Sequence, residues 1–117
     1  MGYRSFGAMW FSQEALDLMN VDMRKRIDED IENDLFSHVH TDADTDNYGI
    51  IDGMILEFDM WKWYPSYKDI QTYESIFKML AFLEVDYDFV RFGENFDDSE
   101  IRTHKMFMTT RGYEVRN

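Results

Sequence analysis

The side chains of residues 51–63 alternate along an extended chain: Met54, Leu56, Phe58 and Met60 fall on one side, and Ile55, Glu57, Asp59, Trp61 and Trp63 on the other. Successive side chains of a strand point to opposite faces, so this segment reads as a strand with one apolar and one mixed face. Such a strand cannot stand alone. Its backbone groups need neighbouring strands, and its apolar face needs a packed layer. Residues 3–11 supply a neighbour: Tyr3, Met9 and Phe11 lie on one face and Phe6, Ala8 and Trp10 on the other, the pattern of a strand buried on both sides.

Helical spacing supplies the layer. Ser12 sits where an N-cap belongs, with Gln13 and Glu14 in the first turn, and Leu16, Met19, Met23, Ile27, Ile31 and Leu35 then recur every three or four residues. Asn20 to Asp22 is a point where this helix can divide. Residues 36–41 read as a short strand and residues 42–49 as a loop rich in Asp, Asn and Gly. Pro65 and Ser66 open a second helix with Ile70, Tyr73, Phe77 and Leu80 as its stripe. Residues 87–92 and 101–108 are two further strands around the turn-rich 93–99. The order β-α-β-β-α-β-β implies a single α+β domain over residues 1–117. It has an antiparallel sheet with two helices on one face, a ferredoxin-like βαββαβ arrangement with an extra C-terminal strand.

Charge is distributed very unevenly over this frame. Of 24 acidic and 12 basic residues in 117, giving a net charge of −12, residues 28–59 hold eleven acids and no Lys or Arg. They are Asp28, Glu29, Asp30, Glu32, Asp34, Asp42, Asp44, Asp46, Asp52, Glu57 and Asp59. Solubility alone is met by interspersing both signs, as the flanking segments do. A cation-free belt repels DNA, RNA and anionic membranes and attracts basic surfaces, so direct nucleic-acid binding is not expected. Its acids are expected on one flank as a binding surface. Trp61 and Trp63, read as sharing the face of Glu57 and Asp59, are candidate apolar anchors beside them.

Specific chemistry is sparse. Without cysteine, the chain has no disulfide, thiolate nucleophile or Cys-based zinc site. Reading Asp44 as the first position of an EF-hand loop puts Ile55 at the twelfth, where a bidentate Glu belongs, so residues 42–52 read as a turn loop. His38 and His40 point the same way on a strand, a weak metal pattern better explained as a polar edge. Asp52, Glu57, Asp59 and Lys62 are the nearest set to a Mg²⁺-holding metal-dependent hydrolase, the least favoured alternative, but they do not fit a nuclease spacing, and no P-loop or nucleophile elbow occurs. Arg4 and Arg91 are the contacts available to a small anion in a pocket between sheet and helices, the competing reading as a nucleotide- or small-molecule-sequestering domain. No catalytic residue, cofactor or metal is expected. No apolar run approaches a membrane span and the start lacks the apolar stretch of a secretory signal, so a cytoplasmic location is expected. An exposed edge strand offers pairing into a homodimer.

The opening Gly2-Tyr3-Arg4-Ser5, the break Trp63-Tyr64-Pro65, and Phe89-Val90-Arg91-Phe92-Gly93-Glu94 followed by Asp97-Asp98 resemble a group of small phage-encoded proteins, mostly without assigned roles. The resemblance implies a viral origin and carries no catalytic residue. Phages commonly carry small acidic inhibitors of host-defence nucleases, and some anti-CRISPR proteins resemble this fold class. The expectation is therefore a non-enzymatic inhibitor whose carboxylates imitate a phosphate rail and occupy the basic groove of a host nucleic-acid-binding protein.

Overall fold

The computed structural model describes residues 4–41, 52–64, 66–94 and 98–104. Strand β1 (Ser5–Phe11) leads into helices α1 (Gln13–Leu18) and α2 (Val21–Glu32), followed by strands β2 (Phe36–Thr41) and β3 (Met54–Trp61). Helix α3 (Lys68–Leu83) and strands β4 (Tyr87–Phe92) and β5 (Ser99–His104) complete the order. The fold is α+β: five antiparallel strands in the order β2-β3-β1-β4-β5, with three helices where two were expected.

The extra helix comes from the break anticipated at Asn20. Ser12 caps α1 by accepting the Ala15 N–H at 3.1 Å, and Asn20 caps α2 by accepting that of Met23 at 2.9 Å. Two capped starts eight residues apart end one helix and begin another, satisfying N–H groups that would otherwise lack partners. Helix α3 begins at Lys68, later than the proline, and its cap Tyr67 makes no side-chain bond.

All three helices contribute to one core. Ala15, Leu16, Ile27, Ile70, Tyr73, Ile76, Phe77 and Leu80 pack with Met9 and Phe11 of β1, Leu56 and Phe58 of β3, and Phe89 of β4. The helical stripes read from spacing are therefore the stripes that are buried. The opposite face of the sheet is also buried at its centre, where Ala8, Trp10, Ile55 and Val90 lie almost wholly out of solvent. A central strand buried on both sides matches the apolar run of β1 except at Phe6, which was expected on a buried face and is 51% exposed.

Gly7 allows the close approach of β1 and β4. A Cβ there would stand 1.9 Å from the Val90 carbonyl oxygen, so no larger residue fits without parting the strands.

Two irregularities decide which side chains enter the core. Between β1 and β3, Gly7 pairs with Phe58 but Ser5 pairs with Trp61, so Asp59 and Met60 oppose the single residue Phe6. Met60 adopts a left-handed φ of 61°, the conformation that lets one strand carry a supernumerary residue. Between β2 and β3, Phe36 pairs with Phe58 and His38 with Glu57, leaving Ser37 as the extra residue. Each bulge reverses the alternation beyond it.

Candidate acidic interaction surface

The first bulge corrects the expected placement of the tryptophans. Trp61 and Trp63 do not share the face of Glu57 and Asp59; they turn to the helix side and are only 6% and 7% exposed. Trp61 packs edge-on against Phe36, Phe58 and Tyr73 with ring centroids 5.4–5.5 Å apart, and Trp63 lies 5.0 Å from Phe89. Neither indole is available as a surface anchor.

Asp30 also leaves the surface. It is 2% exposed, and its Oδ2 accepts the Tyr73 hydroxyl at 2.7 Å, joining α2 to α3, while Arg26 Nη1 stands 3.6 Å from Oδ1. Burial pushes the Asp30 carboxyl above its ordinary range, against the opposing pull of the Tyr73 bond and the Arg26 charge. Burial raises the Tyr73 phenol as well, helped by the neighbouring carboxylate. The pair is a structural tie.

The remaining acids of α2 do face solvent. Asp28 and Glu32 are exposed, and Glu29, half-buried, lies 3.9 Å from Lys25 Nζ and 3.7 Å from Arg26 Nη1. Cations from residues 24–26 thus border the belt on its own helix. The last turn of α2 holds Glu29, Asp30 and Glu32 and no basic residue. Negative charge at a helix C-terminus opposes the helix dipole and costs roughly 0.3–1 kcal/mol per exposed group at low salt. Glu32 is therefore unfavourable for stability, whereas Glu29 is offset by Lys25 and Arg26 and Asp30 by its bond to Tyr73. Asp34 follows the C-cap in a left-handed conformation (φ 59°) and is exposed.

On the sheet, Glu57 and Asp59 take different roles. Glu57 is hydrogen-bonded to His40, whose ring lies 5.9 Å from that of His38 in a near-parallel stack. The two histidines do point the same way, but His40 is buried rather than an exposed edge residue. Among the described residues no three His, Asp or Glu side chains converge as a metal site. Asp52 instead accepts the Gln13 N–H at 3.3 Å. Asp42, Asp44 and Asp46, and the loop compared with an EF-hand, lie outside the described residues.

Asp59 is exposed at the bulge, and a groove of about 370 Å³ beside it brings together Asp34, Asp59 and Asp69 with Arg4, Lys62 and Tyr67. A second groove of about 340 Å³ adjoins it across Met60 and reaches Phe6 and Glu94. Two acids of the belt thus meet from the end of α2 and the end of β3. Sequence reasoning missed Asp69, because it belongs to a segment of mixed charge, and Met60, because strict alternation sends it to the core.

Arg91 is committed elsewhere. It reaches Ser5 Oγ at 2.9 Å, Asp98 at 3.0 Å and Glu100 at 3.2 Å. Burial pulls this guanidinium downward, but the bonds to the two carboxylates prevail and hold it above its ordinary value. Arg102 bonds Glu74 and Glu100 in the same manner. Of the two arginines read as anion contacts, Arg4 borders both grooves described above, and its Nη1 donates to the Met60 carbonyl at 3.1 Å. No described helix is long and apolar enough to cross a membrane. No protein-family model, curated protein or solved structure matches the chain.

Proposed function

We propose that this chain is a non-enzymatic binding protein that presents carboxylates to the basic groove of a nucleic-acid-binding protein, as a phage-type inhibitor of a host nuclease does. The observation that carries the reading is the cation-free run of eleven acids, whose members Asp28, Glu32, Asp34 and Asp59 are exposed. The exposed Glu32 in the last turn of α2, where it opposes the helix dipole, supports it further, since stability alone disfavours it there. Asp30, Trp61 and Trp63 are removed from the binding set by their burial. The same reading takes β2-β3-β1-β4 with their helices as a ferredoxin-like unit extended by β5, and the strand order supports it.

The test is displacement of labelled duplex DNA from a panel of basic-groove nucleases, with the wild type and a variant carrying Asp28→Lys, Glu29→Lys, Glu32→Lys and Asp34→Lys. Electrostatic mimicry requires displacement by the wild type that weakens as salt rises and disappears in the variant. Displacement insensitive to both salt and charge reversal overturns the reading.

A further inference from the structure

We propose that the exposed apolar patch centred on Met60 is a docking surface for a cationic protein segment, one bearing arginine or lysine beside an aliphatic side chain. This deepens the reading above by naming where such a partner is anchored. Phe6, Met60 and Tyr67 are 51%, 61% and 42% exposed. Met60 lines both grooves, with Phe6 in one and Tyr67 in the other, so the three form a continuous apolar strip.

The strip is held from beneath. Phe6 stacks on Phe92 at 5.2 Å, Tyr67 meets Tyr64 edge-on at 5.1 Å, and the Arg4 bond to its carbonyl fixes the backbone of Met60. The thioether arm stays free to adapt its shape to an incoming side chain. A rigid aromatic pair flanking a pliable methionine is a composition enriched at the centres of protein interfaces.

Charge selects the occupant. The rim carries Asp34, Asp59, Asp69 and Glu94 against Arg4 and Lys62. Among the described residues neither Asp34 nor Asp59 has an ion-pair partner, whereas Glu94 accepts the Arg4 N–H. An apolar side chain on Met60 therefore brings flanking cations within reach of two unpaired carboxylates. A second copy of the chain, itself at −12, would bring the wrong sign.

Two short synthetic peptides of equal charge provide the probe, one alternating arginine with leucine and the other arginine with glycine, titrated into the full chain and followed by anisotropy and methionine-methyl NMR. The leucine peptide should bind about tenfold tighter, the gain from burying most of one leucine side chain, and shift the Met60 methyl. Met60→Gly should abolish that preference without lowering the melting temperature, because glycine suits the left-handed backbone. Asp34→Asn with Asp59→Asn should weaken both peptides and flatten their salt dependence. Equal affinity for the two peptides, lost in the α2 lysine variant, overturns this docking surface and leaves the acidic-surface reading standing. Absence of binding by either peptide overturns both.

Discussion

Replacing Tyr73 with phenylalanine isolates a single buried bond. The change removes one oxygen and leaves the ring in its contacts with Phe36 and Trp61, so the perturbation falls on Asp30. The carboxylate is 2% exposed and then faces the core with only Arg26 at 3.6 Å to compensate. A hydrogen bond to a charged group is worth about 1.5–3 kcal/mol, and the loss should approach that range because water cannot replace the hydroxyl. At roughly 4 °C per kcal/mol for a domain of this size, Tyr73→Phe lowers the melting temperature by about 6–12 °C at neutral pH. In an Asp30→Asn background the same change breaks a neutral bond worth about 1 kcal/mol, so the two substitutions couple by about 1 kcal/mol. The pH dependence has a definite sign. Burial raises the Asp30 pKa above its ordinary 3.8, so the folded state holds the proton more tightly than the unfolded one. The stability contributed by this linkage is fully present below that unfolded value and is lost as pH rises through the folded pKa. Asp30→Asn should therefore remove a downward slope in stability above pH 3.8. Near-ultraviolet circular dichroism of thermal unfolding across acid and neutral buffers reads both effects. A cost under about 0.5 kcal/mol for Tyr73→Phe, equal in the two backgrounds, refutes the argument, since it is the size expected of an unremarkable surface change.

Gly7→Ala forces a Cβ against the Val90 carbonyl and should cost about 3 kcal/mol or more in urea unfolding, with loss of cooperativity if β1 and β4 separate. Trp61→Ala, emptying a site walled by Phe36, Phe58 and Tyr73, should cost about 3–5 kcal/mol by the same measurement; a surface anchor would lose almost nothing. Glu32→Lys replaces an exposed acid in the last turn of α2 and should stabilise the fold by about 0.5 kcal/mol at low salt, with the gain fading at high salt. The same substitution should weaken binding to a basic groove, separating affinity from stability.

Much of the fold was legible because local rules and tertiary packing agree. Ser12 and Asn20 announced both helix starts, and the stripe through Leu16 and Ile27 is the buried one. The unbroken apolar run of β1 implied burial on both faces, as found for Met9 and Trp10. The site was less legible, and for a physical reason. Counting by twos along residues 51–63 carries Trp61 to the side of Glu57, since nothing in the string marks Met60 as supernumerary; a left-handed methionine is uncommon, and glycine would have given the signal. Asp30 was grouped with its neighbours by charge alone, although its spacing from Ile27 places it beside the helix stripe. The convergence of Asp34, Asp59 and Asp69 depends on three elements meeting in space, which no local pattern encodes.

The extra residue in β3 serves the surface rather than the core. Deleting Met60 would restore a regular ladder with Asp59 opposite Phe6 and Trp61 still opposite Ser5, so the indole would keep its place in the core and only an exposed methionine would be lost. A sequence sharing this architecture can therefore drop the supernumerary residue without shifting the register on either side of it. Excision of that one residue should prove milder for folding than excision anywhere from Met54 to Phe58, and milder than its replacement by proline, which cannot take a left-handed backbone.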